Sequence, residues 1–509
     1  MKKILLFIIF CTWLQNVYTY NLNLTTCCSE TLAYCPPCCG VARTFLSTRP
    51  VYRNIAAQQS VWHDMIFNAC NPENFAFQAV PIFQKSLRSR SIARYFLFDD
   101  APCGDEDKDF LVVKGDAVIA GNQYSRDIRA EWLNLPSNFA GSFTVKPKQE
   151  QFGLWMEAYY SLRSFFETEF LKGFWLGVAL PLHYVKNSIN LVEFPDRTEP
   201  EMRPIAATSI TQALSNPAWN FAKFGPSKKL FSVAELDFKI GSNFLDQDGF
   251  ELCLYSMGVM PLHGYADSEF VFSPALGTNR HFGYGSGLLF QMPLTCDIET
   301  CFISFFFEIE NIYFFRDTQI RTLDLKSKPW SRYLLLVNRD GTRDIPAVNI
   351  LTRPVRVRPF NKVDMTTGFR YQSCGVELEA GFDLWARGRE DVKLKDCFPC
   401  DYGIQGVGFI GNTGVPATAS LSTIGVLEPN DVTLIRREQI FVEITEDDIQ
   451  LNSAAARGAI NFRFHLAGGY TSNTSFALLF LGAGCFIEIP NYNTDFKRYG
   501  VWAKIGYGF

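Results

Sequence analysis

The sequence predicts an all-β fold: a transmembrane antiparallel β-barrel of about 12–14 strands behind a Cys-rich leading segment. Three observations predict it. The chain ends in a strand with one wholly apolar face, long segments alternate with period two from residue 152 onward, and the amino terminus reads as an export signal.

The terminal run is Arg498–Phe509. Tyr499, Val501, Ala503, Ile505, Tyr507 and Phe509 share one face, and Gly500, Trp502, Lys504, Gly506 and Gly508 the other. Upstream, Leu154, Met156, Ala158, Tyr160 and Leu162 oppose Glu157 and Arg163. Leu236, Phe238 and Ile240 oppose Glu235, Asp237 and Lys239, and Phe305, Phe307 and Ile309 oppose Glu308 and Glu310. Val376, Leu378, Ala380, Phe382, Leu384 and Ala386 oppose Glu377, Glu379, Asp383 and Arg387. Ile460, Phe462, Phe464 and Leu466 oppose Asn461, Arg463 and His465. Several such runs reach the ~9–11 residues a strand needs to cross a bilayer, where strands of globular proteins average about 5–6.

Residues 1–20 hold Lys2 and Lys3, then the apolar run Ile4–Phe10, which is too short to span as a helix and predicts a cleaved signal peptide. Residues 21–150 are expected to form the leading segment, either a plug within the barrel or a cap on its periplasmic rim, with the barrel occupying 151–509. Within the leader, Asn54–Ala69 has helical spacing, and Phe75–Phe83, Ile92–Phe98 and Phe110–Ile119 read as strands. The longer connections are 190–228, 316–360 and 411–437.

Composition agrees with a wall that divides lipid from water. Only 20% of the residues are charged while 15% are aromatic. Net charge is −4, and −6 without Lys2 and Lys3, so no basic excess exists to bind nucleic acid.

This pattern resembles bacterial outer-membrane β-barrels of the porin and transporter kind. The resemblance rests on the signal-like Lys2–Leu14, the alternating strands, and the terminal Tyr507-Gly-Phe509, which matches the signal read by the barrel-insertion machinery. One departure is Lys504, where such proteins often carry Gly. The resemblance implies a bacterial outer-membrane location, lipid and insertion machinery as partners, and passive passage of small solutes, hydrophobic ones included. The alternative is a non-conducting structural or adhesive barrel that acts through its loops.

Charges facing lipid near the midplane cost about 2–4 kcal/mol each, so they are expected to line the lumen. The lumen-lining set is Glu157, Arg163, Glu235, Asp237, Lys239, Glu308, Glu310, Arg370, Glu377, Glu379, Asp383, Arg387, Arg463, His465 and Lys504.

Fifteen Cys are present, fourteen without Cys11, which in an exported chain favours disulfides. The candidates are Cys27, Cys28, Cys35, Cys38, Cys39, Cys296, Cys301, Cys397 and Cys400. Cys35-Pro-Pro-Cys38 and Cys397-Phe-Pro-Cys400 could together hold zinc, or each exchange disulfides, but neither pair sits in a βαβ setting. The five His show no metal spacing, and no Gly-x-Ser-x-Gly elbow occurs. No cofactor, metal or enzymatic activity is expected.

Overall fold

The computed structural model describes residues 41–60, 75–87, 90–97, 109–118, 126–165, 172–195, 207–247, 250–294, 301–405, 419, 441–474 and 477–508. Its centre is a closed barrel of twelve antiparallel strands. They are β1 (Phe75–Ser86), β2 (Lys148–Ser161), β3 (Phe174–Ala179 continued by Leu182–Ser188) and β4 (Lys228–Val233 continued by Glu235–Gln247). Next come β5 (Phe250–Pro261), β6 (Gly283–Pro293), β7 (Cys301–Phe314) and β8 (Phe360–Ser373). The ring ends with β9 (Val376–Arg387), β10 (Ala459–Thr474), β11 (Ala477–Pro490) and β12 (Arg498–Gly508).

Each strand pairs with the next in sequence, and β12 returns to β1 with Ile505 opposite Ala79 and Val501 opposite Phe83. The ring leaves no free edge, which is the condition for crossing hydrocarbon with strands. β3 breaks at Leu180-Pro181, where proline has no N–H to give to the ladder. β4 breaks opposite it at Ala234, whose N–H reaches Pro181 O at 3.0 Å.

The barrel begins at residue 75, not 151. Phe75–Ser86 lies inside the stretch assigned to the leader, yet it pairs along its length with β2 and with β12. Without it those two strands would expose unpaired backbone to lipid. Pro81 weakens the strand signal, and the pairing to β12 skips Val80-Pro81. Ile92–Phe98 differs as well: Arg90–Leu97 is a helix that buries Ile92, Tyr95 and Phe96 against the cap described below. The expected helix over 54–69 is α1 (Ile55–Gln59), and residues 61–69 lie outside the described residues.

The outward face is apolar. Phe369, Phe464, Leu466 and Val501 are 57%, 54%, 62% and 51% exposed, whereas their inward neighbours Arg370, Arg463, His465 and Lys504 are at most 4% exposed. Alternation and burial therefore have the same period and the same phase on these strands.

Short connections join strands on one rim, as at 374–375, and long ones gather on the other. The long connections build a cap of small sheets and short helices around two apolar cores. One contains Phe96, Phe143, Trp219 and Trp330, and the other Leu323, Leu336, Val355 and Ile444.

Leu466 is near the middle of β10 and Ile489 near the end of β11. Leu466→Arg is expected to destabilise the inserted barrel by about 2–4 kcal/mol, and Ile489→Arg by about 0–1 kcal/mol. Urea unfolding from lipid vesicles measures both; equal costs would contradict the placement of the apolar belt.

Candidate functional site

Strand alternation sends ten carboxylates and six Lys or Arg side chains, all buried, to the inner face among the described residues. Twelve strands enclose more space than their own side chains fill, since eight already suffice for a packed interior. The remaining space is taken by Val41–Ser60, which descends from the cap into the barrel.

Three sets of contacts fasten this plug. At the top, Arg43 donates to the carbonyls of Asn452 and Ala455, each at 2.9 Å, and Tyr95 donates to Phe45 O at 2.7 Å. In the middle, Arg49 pairs with Asp364 at 2.7 Å and Glu488 at 3.3 Å. Arg53 reaches Glu235, Asp237 at 2.8 Å and Glu310 at 3.5 Å. Lower down, Lys504 donates to Gln58 O at 2.7 Å and to Ser60 O. The plug backbone is held too: Val51 N donates to Gln151 at 2.9 Å, and Asn54 caps α1. Tyr52 stacks on Trp155 with ring centroids 6.2 Å apart.

A second network runs across β8–β12. Glu488 accepts from Arg463 and Arg498, each at 2.7 Å, and from Asn461 at 3.1 Å, in addition to Arg49. Asp383 and Glu379 flank His465 at 3.0 and 3.2 Å, and Arg370 joins Glu379 at 2.9 Å. Arg370 also meets Glu377 at 3.2 Å. On the opposite wall Lys239 lies 3.6 Å from Glu157, and Tyr255 donates to Glu308 at 2.7 Å.

Of the expected lumen set, Glu157, Glu235, Asp237, Lys239, Glu308, Glu310, Arg370, Glu377, Glu379, Asp383, Arg387, Arg463, His465 and Lys504 are buried on inner faces. Arg163 is elsewhere: it begins a short 3-10 turn, Arg163–Phe165, past the end of β2, where the alternation has ceased. Among assembly-signal residues, Tyr507 is outward and 45% exposed, and Phe509 lies outside the described residues. Cys397 and Cys400 are free, exposed thiols. Cys27, Cys28, Cys35, Cys38, Cys39 and Cys296 lie outside the described residues, as does the signal-like stretch, and Cys301 is described by its backbone alone. No group that could hold a metal occurs among the described residues.

Sequence reasoning missed Arg49, Arg53, Asp364, Glu488 and Arg498. Arg49 and Arg53 bracket Pro-Val-Tyr in a stretch without periodicity. The available signal was the carboxylate excess of the strands, which calls for cations from elsewhere. Lys504, the departure from the expected Gly, is the lower anchor of the plug.

A narrow pocket with room for about one or two waters opens beside the upper plug, lined by Thr48, His183, Gly277, His281, Lys362 and Glu390 among others. His281 sits outside the strands. Burial pushes its pKa down to about 4, and its ring contacts Phe315 O and Gln319 at 2.9 Å each.

The closed sheet and its apolar belt make this a membrane-spanning barrel of the bacterial outer-membrane kind. No family model and no curated protein matches the sequence. Solved barrels are similar in fold. An outer-membrane channel from Pseudomonas putida F1 is 9% identical over 86% of this chain and 97% of that one, with a TM-score of 0.38. The transport unit of the autotransporter AIDA-I from Escherichia coli is 8% identical over 91% of this chain and 99% of that one, with a TM-score of 0.31. A mutant of the monoaromatic hydrocarbon channel TodX is 10% identical over 89% of this chain and 94% of that one, with a TM-score of 0.33.

Two predictions follow from the geometry. Glu488→Gln leaves three arginines around a neutral amide, and is expected to cost on the order of 3–5 kcal/mol in denaturant unfolding. His281 is neutral when folded and has a lowered pKa, so its contribution is present above about pH 6.5 and is lost as pH falls toward 4. Thermal unfolding of the parent between pH 7 and 4 should therefore fall more steeply than that of His281→Gln.

Proposed function

We propose that the protein is a gated outer-membrane channel for small solutes, held shut by Val41–Ser60. The observation that carries this reading is how the plug is fastened. Its midpoint and lower end meet the wall through arginine–carboxylate pairs and a lysine on backbone carbonyls. A hydrophobic filler would have no route out except exposure of apolar surface to water. The plug also buries Val51, Tyr52 and Ala57 against Trp155 and Trp502, but its charged contacts leave charged groups on both surfaces that hydrate once separated. A narrow pocket lies beside Thr48.

Gating predicts that fixing the plug silences the pore. A Cβ built on Gly153 lies 3.1 Å from Tyr52 Cβ, so a disulfide, which spans about 3.5–4.5 Å between Cβ atoms, asks the plug to shift outward by a few tenths of an ångström. Tyr52→Cys with Gly153→Cys, oxidised, is expected to abolish conductance in planar bilayers, and reductant to restore it. Arg49→Ala with Arg53→Ala is expected to raise the frequency of open events at least tenfold. A parent and double-alanine variant that both insert and never conduct would instead support a structural barrel.

A further inference from the structure

The cradle of Arg53 is more than a tether. Glu235 and Asp237 of β4 and Glu310 of β7 converge on one guanidinium, and Trp155 of β2 lies beneath it, 5.9 Å from Cζ to ring centroid. Three carboxylates against one guanidinium exceed what the pair needs. A further cation on the same strand, Lys239, is directed to Glu157 and stands over the rings of Trp155 and Tyr255. Asp237 is fully buried, and its Oδ1 has no hydrogen-bond donor among the described residues. A fully buried carboxylate oxygen without a donor is costly in a site meant only to be filled by one arginine.

Gly277 lines the pocket beside the upper plug, and a Cβ added there would lie 3.0 Å from Glu235 Oε2, so the wall of that pocket packs against the edge of the cradle. Among the described residues the buried carboxylates of the strands outnumber their buried Lys and Arg ten to six, so withdrawing Arg49 and Arg53 leaves an anionic interior.

We propose that Glu235, Asp237, Glu310 and the face of Trp155 form a binding site for small organic cations bearing a guanidinium or primary ammonium group. Arg53 occupies it as an intramolecular stand-in while the channel is shut. The site deepens the gated-channel reading and rests on it for its role in transport: cationic solutes compete with Arg53, and the open pore favours cations over anions. Carboxylates bind the N–H fork and the aromatic face takes the delocalised charge.

The test separates the site from the gate. Arg53→Ala vacates the cradle in the full-length protein. Methylguanidinium at millimolar concentration should then raise its thermal midpoint and change its tryptophan emission saturably. Methylurea, similar in shape and uncharged, should bind at least tenfold more weakly. Adding Asp237→Asn should weaken methylguanidinium at least tenfold. If Arg53→Ala fails to assemble, methylguanidinium present during refolding should rescue it and methylurea should not. Equal responses to the two probes, or no saturable response and no rescue, overturn the site. In bilayers, a potassium chloride gradient across the Arg49→Ala, Arg53→Ala variant should give a reversal potential on the potassium side. Binding without any conductance keeps the site and removes the gate; conductance without binding keeps the gate and removes the site.

Discussion

Backbone groups that face hydrocarbon have no water to turn to, so every strand edge must be paired within the molecule. The seam between Phe75–Ser86 and Arg498–Gly508 meets that constraint, and the rest of the structure depends on it. Closing the ring forces strict alternation: one face meets lipid and the other is enclosed. Leu466 and His465 are adjacent in sequence, yet one is 62% exposed and the other 4%. Every charge the strands carry near mid-membrane is thereby committed to a confined interior.

Confinement sets the next requirement. Carboxylates buried without partners carry a desolvation penalty of several kcal/mol each, which only close cations and hydrogen bonds offset. Across β8–β12 the strands supply those cations themselves, through Arg370, His465, Arg463 and Arg498. The wall of β4 and β7 does not: among the described residues, Glu235, Asp237 and Glu310 have only the plug's Arg53 within ion-pair distance. The plug is thus a structural complement to one wall in particular. That asymmetry explains Arg53, whereas Arg49 adds a further cation to Asp364 and Glu488 on the other wall.

Much of this was legible in the chain, because lipid imposes a period of two that survives tertiary packing. The alternation of Val376–Arg387 maps onto burial residue by residue from Glu377 to Ala380, and the terminal strand does so throughout its described length. What escaped reading is either long-range, as in the role of the strand at Phe75–Phe83, or non-periodic. Phe75–Ser86 carries Pro81 and lies before the Cap-forming stretch, so its role as the closing strand follows only from pairing across the whole chain. The plug has no repeating pattern because it meets a different wall at each turn: Arg49 looks to β8 and β11, Arg53 to β4 and β7, Gln58 to β12. Arg163 shows the opposite error, where alternation was extended one step past the strand's end.

Lys504 joins these strands of argument. The resemblance drawn from the sequence makes it a charge where a glycine is expected. In the folded protein it is buried, faces inward, and spends its donors on the carbonyls of Gln58 and Ser60 rather than on a carboxylate. A lysine satisfied by backbone oxygens holds the lower end of α1 without drawing on the lumen's acids. Those acids remain for the arginines above. The division leaves Asp237 and its neighbours matched to a single guanidinium, and a site shaped for one guanidinium has the chemistry to receive another.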